Sequence, residues 1–114
     1  MALSPMAFDD IGNWIDIKQS GISGTVKYRK DGAFNAIHVN NATLTGTRTY
    51  VKIGQLPNGA PIPSEKMFLP AVNGGLYNSV IRITETGEID GYIPDSSSTN
   101  LNIFADIIYM VYDG

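Results

Sequence analysis

The segment TVKYRKDGAFNAIHV, Thr25 to Val39, restricts the possible folds more than any other stretch. Alternating apolar and polar residues flank Asp31-Gly32, a pair able to supply the two positive-φ positions of a type I′ turn, so the segment predicts a β-hairpin with a two-residue loop. That loop pairs Lys30 with Ala33, Tyr28 with Asn35, Val26 with Ile37 and Thr25 with His38. Val26, Tyr28, Ile37 and Val39 then share one face, and Lys27, Arg29, Phe34, Ala36 and His38 the other.

The rest of the chain repeats the theme. SVIRITETGEIDGYI predicts a second hairpin, with Glu85-Thr86-Gly87 as a three-residue loop and Gly87 in the left-handed position. Ile83 then faces Ile89, Arg82 faces Asp90, and Val80 faces Tyr92. In WIDIK, alternation turns Ile15 and Ile17 inward and leaves Trp14, Asp16 and Lys18 on the other face. PDSSSTN, Pro94 to Asn100, reads as an exposed loop. No helical stripe of convincing length interrupts these strands. A chain of 114 residues holds one hydrophobic core. We therefore expect an N-terminal extension over residues 1–13 and a single all-β domain, an antiparallel β-sandwich of jelly-roll-like type, over 14–114.

Two segments add detail. Lys52 to Val72 holds four of the six prolines yet carries Leu56, Ile62, Met67, Phe68 and Leu69. It is expected to end a strand at IGQLPNG, cross to the other layer through APIPS and re-enter the sheet at MFLPAV, with Leu56, Ile62 and Phe68 over the end of the core. The last strand, LNIFADIIYMVY, is apolar on both sides: Ile103, Ile107, Tyr109 and Val111 on one, Phe104, Ile108, Met110 and Tyr112 on the other. A one-core sandwich buries only the first set, so the second meets either another chain, as in a homotrimer, or a loop such as 55–72.

Composition excludes several function classes. Eight Lys and Arg against eleven Asp and Glu give a net charge of −3, which provides no basic field for nucleic acid. With no cysteine, thiol catalysis and thiolate metal sites are absent. No apolar run approaches the ~20 residues of a membrane-spanning helix, and the first residues lack the pattern of an export signal, so neither membrane insertion nor export is expected.

Catalytic patterns are missing as well. A single histidine, His38, would have to serve any Ser-His-Asp triad or histidine metal site, and no phosphate, dinucleotide or calcium loop is present. Asp16, Glu88, Asp90 and Asp106 offer carboxylates with no distinctive spacing for glycoside hydrolysis. No catalytic residue, metal or cofactor is assigned. Trp14 is a candidate platform for the apolar face of a sugar ring, or else the filling of a subunit interface. His38, with Thr25 across the hairpin, is either a donor to a hydroxyl or an exposed or interface histidine. Arg82 and Asp90, with Tyr92 beside them, either present donors and acceptors to sugar hydroxyls or form an ordinary surface ion pair.

The motifs WIDIK, YRK-G at Tyr28-Arg29-Lys30, IG-LP-G at Ile53-Gly54, Leu56-Pro57 and Gly59, Pro63-Ser64, F-PA at Phe68 and Pro70-Ala71, and I-I-TG-I at Ile81, Ile83, Gly87 and Ile89 follow one another in order. In this the chain resembles the C-terminal head domains of receptor-binding and baseplate proteins from phages of Gram-positive bacteria. The likeness spans the chain from Trp14 onward, mainly at turn and core positions. It implies a homotrimeric head that recognises host cell-wall or cell-surface saccharide non-covalently, without enzymatic activity. It also implies a place in the virion at the tail tip or baseplate, contacts with other tail proteins, and assembly in the host cytoplasm. Where such domains often carry an aromatic residue and Arg before Pro-Ser, this chain has Ala60 and Ile62, so any contact of that Arg does not carry over. The same resemblance also suits a purely structural module of the tail.

Overall fold

The computed structural model describes residues 12–31, 34–45, 49–73, 76–93 and 100–111. Its strands are β1 (Ile15–Asp16), β2 (Thr25–Asp31), β3 (Phe34–Thr45), β4 (Tyr50–Gln55), β5 (Met67–Asn73), β6 (Leu76–Ile83), β7 (Glu88–Tyr92) and β8 (Asn100–Tyr109). They form one eight-stranded sheet in the order β1-β2-β3-β8-β5-β6-β7-β4, and every pairing is antiparallel. No helix occurs among the described residues.

The sheet curls into two facing halves because its seams are narrow. β3 and β8 share nine residue pairs, whereas β8 and β5 share only Val72–Phe104 and Asn73–Ile103. At the far margin Lys18 bridges Gly54, with the Gln19 amide donating to Ile53 O at 2.8 Å and the Gln55 amide to Ile17 O at 3.1 Å. The halves β1-β2-β3-β8 and β5-β6-β7-β4 thus face each other as a curled sandwich. Between them lie Val26, Ile37, Val39, Leu44 and Ile103 from one half and Ile53, Ile81, Ile83 and Ile89 from the other, all essentially removed from solvent. Gly91 sits at the closest approach: a Cβ there would lie 2.9 Å from Leu44 Cδ1 and from Ile103 Cδ1.

Both hairpins form. In the second, Ile83 pairs with Ile89 and Arg82 with Asp90, the Gly87 amide donates to Thr84 O, and Gly87 has φ of 81°. In the first, the faces are as expected but the partners are shifted by two residues: Asp31 pairs with Phe34, Tyr28 with Ile37, Val26 with Val39, and His38 with Lys27 rather than Thr25. A shift of two keeps every side chain on its face, so burial does not distinguish the two registers. The connection is Gly32-Ala33, which lies outside the described residues, as do Pro94 to Ser98, Thr99 and Tyr112.

Other expectations are corrected. Ile15 has the inward phase but is 47% exposed, because β1 is a two-residue strand at the sheet's margin and only Ile17, next to β4, is covered. The segment after β4 does not cross to the other layer: β4 and β5 are opposite margins of the same half, and residues 56–66 run across its end. Leu56 is buried there, its amide donating to Gly87 O, and Tyr109 Oη donates to Pro61 O. Ile62 and Phe68 stay exposed, since the register of β5 on β6 turns Ala71 into the core and packs Met67 and Leu69 against it, while Phe68 points outward. β8 buries Ile103, Ile107 and Tyr109, while Phe104, Ile108 and Met110 remain open, so loop 55–72 does not cover that row.

Candidate functional site

The five sequence-derived candidates occupy two clusters, one on the outer face of each half. The first is built by three neighbouring pairings. β1 on β2 carries Trp14 to the level of Arg29, β2 on β3 sets Lys27 against His38 and Arg29 against Ala36, and β3 on β8 sets His38 opposite Asp106. The Arg29 guanidinium lies 4.6 Å from the Trp14 ring centroid, a cation–π contact that covers one indole face and fixes the ring. The His38 ring is 6.1 Å from Trp14, tilted by 56°.

His38 Nδ1 and Asp106 Oδ1 are 2.5 Å apart, so an Nδ1–H donates to the carboxylate. Beside them a pocket of about 190 Å³ is lined by Trp14, Arg29, Ala36, Ile37, Asp106, Ile107 and Ile108. Trp14 is 41% exposed and the Asp106 side chain 83% exposed, leaving an indole face, an imidazole and a carboxylate open to a ligand. Such a set stacks on an apolar ring face and exchanges hydrogen bonds with hydroxyls.

The second cluster crosses the other half. Lys52 of β4, Asp90 of β7, Arg82 of β6 and Phe68 of β5 are successive cross-strand neighbours, and Tyr50 opposes Tyr92 in the adjoining row. Arg82 donates from Nε and Nη2 to Asp90 Oδ2 at 2.9 and 2.7 Å, and its guanidinium lies 3.8 Å from the Tyr50 ring centroid. The Tyr50 and Tyr92 rings are 4.8 Å apart, and Tyr50 and Phe68 6.5 Å. This is not the surface ion pair considered from sequence, because Asp90 is 1% exposed and lies under its neighbours. For the same reason Asp90 does not itself reach a ligand; Arg82, Tyr92 and the exposed Phe68 form the accessible surface.

Arg82, Asp90 and Tyr92 are therefore brought together, Trp14 and His38 are brought together, and the two groups belong to different halves. Sequence reasoning missed Arg29, Tyr50 and Phe68 as site residues. Arg29 already shared the outward face with His38 in the predicted hairpin, which was the available signal. Tyr50 joins Arg82 only through the long-range pairing of β4 with β7, which no local pattern announces. Among the described residues no group of three or more His, Cys, Asp or Glu side chains gathers as a metal site would require.

No known protein family's sequence pattern matches the chain, and no curated protein matches it. Its structure is similar to the crystal structure of the head domain of phage bIL170, described in connection with a common fold for the receptor binding domains of lactococcal phages. The superposition has a TM-score of 0.67 and covers 88% of this chain and 98% of that one, with 18% identity. The chain has the fold of that phage head domain. The head-domain fold places the Trp14 cluster on the outer face of β1-β2-β3-β8, next to the open apolar row of β8. At this identity the likeness carries the scaffold and not the individual site residues.

Proposed function

We propose that the chain is a receptor-binding head of a phage tail-fibre or baseplate protein, and that it holds host cell-surface saccharide non-covalently at Trp14. The observation that carries this reading is a half-open indole, clamped by Arg29 and flanked by the His38–Asp106 pair over a small pocket, on a phage head-domain fold. In this reading the site holds its ligand without chemistry, and no reaction is proposed. The chain would then act in the virion, at the tail tip or baseplate, alongside other tail proteins.

In this reading the head is a homotrimer whose subunits meet through Phe104, Ile108 and Met110. These side chains are 40%, 66% and 52% exposed in the single chain, an apolar row that water-exposed strands ordinarily avoid. Ile108 also lines the Trp14 pocket, so a neighbouring subunit would wall the saccharide site.

Calorimetric titration with host cell-wall polysaccharide tests the function. Binding that Trp14→Ala weakens at least tenfold, with unchanged mass and melting temperature, supports it. The rival reading, an assembly module without sugar binding, is favoured by that same apolar row; it gains if no surface saccharide binds while the oligomer is intact.

A further inference from the structure

Asp90 is the only buried carboxylate among the described residues, and only half of it is satisfied. Oδ2 accepts both hydrogen bonds from Arg82, whereas Oδ1 is enclosed and receives no donor. Buried acceptors in folded proteins are rarely left this way, most of all on an ionised group. The groups facing it limit what can satisfy it. β6 supplies Arg82, already committed to Oδ2 and stacked on Tyr50. β4 brings Lys52 opposite Asp90 and Tyr50 opposite Tyr92, but neither donates to Oδ1, and β5 brings Phe68 and Pro70, which have no side-chain proton to give. β7 itself brings Tyr92 and Glu88, each two residues from Asp90 along the strand and so on the same outer face, which makes the Glu88 carboxyl a neighbour of the Asp90 carboxylate.

Two ionised carboxylates have only acceptors to offer each other, but a protonated one donates. We propose that Glu88 carries a proton which it donates to Asp90 Oδ1, making the outer face of β7 a proton-binding site that holds Arg82 on Tyr50. Three effects keep the proton on Glu88 above the usual glutamate range: the hydrogen bond to Asp90, burial, and repulsion from the Asp90 charge, opposed by Lys52 and Arg82. Loss of the proton sets two anions side by side, and the ionised Glu88 competes with Asp90 for the Arg82 guanidinium. The presentation of the Tyr50, Phe68 and Tyr92 rings then depends on pH. None of this rests on the saccharide reading.

The sign of the linkage is definite. Between the ordinary glutamate value of 4.5 and the raised value, the folded chain binds more protons at Glu88 than the unfolded chain, so this site's contribution to stability falls as pH rises. Other carboxylates also titrate, so the readout is a difference. Thermal melts of the full chain and of Glu88→Gln, whose amide donates at every pH, are compared from pH 4 to pH 8, values on the order of the carboxylate-to-neutral range. We expect the variant's melting temperature to gain on the wild type as pH rises, and the gain to vanish in an Asp90→Asn background. A difference that stays flat with pH overturns the proposal. Should Glu88→Gln fail to fold, carbon-detected NMR titration of the wild-type Glu88 carboxyl decides: a midpoint above 4.5 supports it, and one at or below 4.5 overturns it.

Discussion

Removing Arg82 separates the two readings of its pair with Asp90 by magnitude. A surface ion pair contributes ~0–1 kcal/mol, because both charges return to water when the pair breaks. Here Asp90 is 1% exposed and Arg82 makes both of its hydrogen bonds to one carboxylate oxygen. Breaking a fully buried pair costs ~3–5 kcal/mol. The Arg82 side chain keeps 23% of its exposure, so water reaches one partner and the expected loss falls to roughly 2–4 kcal/mol for Arg82→Met. Asp90→Leu leaves the guanidinium free to turn outward and should cost less, about 1–3 kcal/mol. The double variant leaves no uncompensated charge, so a coupling of about 1.5–3 kcal/mol should appear in the cycle. Urea unfolding at fixed protein concentration and pH measures all four corners, the fixed concentration guarding against an oligomer's contribution. A coupling under ~0.5 kcal/mol would refute the argument, because it would mean that the carboxylate is hydrated in solution despite its place in the sheet.

Three further perturbations test other parts of the structure. Tyr28→Phe removes the phenol that donates to Asn35 Oδ1 at 2.6 Å in the core, and urea unfolding should show a loss of ~1–3 kcal/mol; a neutral result would mean that Asn35 finds another donor. Burial raises the Tyr28 phenol above its usual value, so the loss should not vary between pH 6 and pH 8, values taken well below ~10 for an ordinary tyrosine. Gly24→Ala places a Cβ 2.2 Å from Asn41 O at a backbone φ of 94°, and should destabilise by more than the ~1–2 kcal/mol of the left-handed conformation alone, read as poor expression or a depressed melt. Ile108→Lys charges the most exposed residue of the β8 row, and light scattering should show a trimer converted to monomer; a monomeric wild type would remove the trimer reading altogether.

The period-two pattern was enough to set the faces of β2, β6, β7, β8 and β3 as far as Val39, because a strand half-buried on one side must alternate; beyond Val39 the register shifts and Ala42 and Leu44 turn inward instead. What it could not set was anything invariant under a shift of two. Tyr28 opposite Asn35 and Tyr28 opposite Ile37 bury the same side chains, and the choice between them rests on the short connection at Gly32-Ala33. Phe68 misled for a related reason: an aromatic residue in a proline-rich run suggests core, yet Met67, Leu69 and Ala71 satisfy the inward phase and leave Phe68 outside. The path from β4 to β5 was misassigned because a proline-rich crossing looks the same whether it changes layers or spans the end of one.

The site was legible in proportion to how locally it is built. Arg82 and Asp90 are eight residues apart in one hairpin whose loop sequence dictates its register, so their contact followed from Gly87 alone. Asp106 meets His38 from 68 residues away, because the last strand lies between β3 and β5 and pairs along β3. Burial is likewise the product of a long-range pairing: Tyr50 arrives from β4 to stack on Arg82, and the pair that looks superficial in a lone hairpin becomes enclosed. Trp14 stays open, since among the described residues β1 is the outermost strand of its half and β4 meets the chain only beyond it, at Ile17 to Gln19. Position in the strand order, more than residue type, therefore assigns the two clusters their different roles: a polar pair held inside one face, and an aromatic ring presented at the margin of the other.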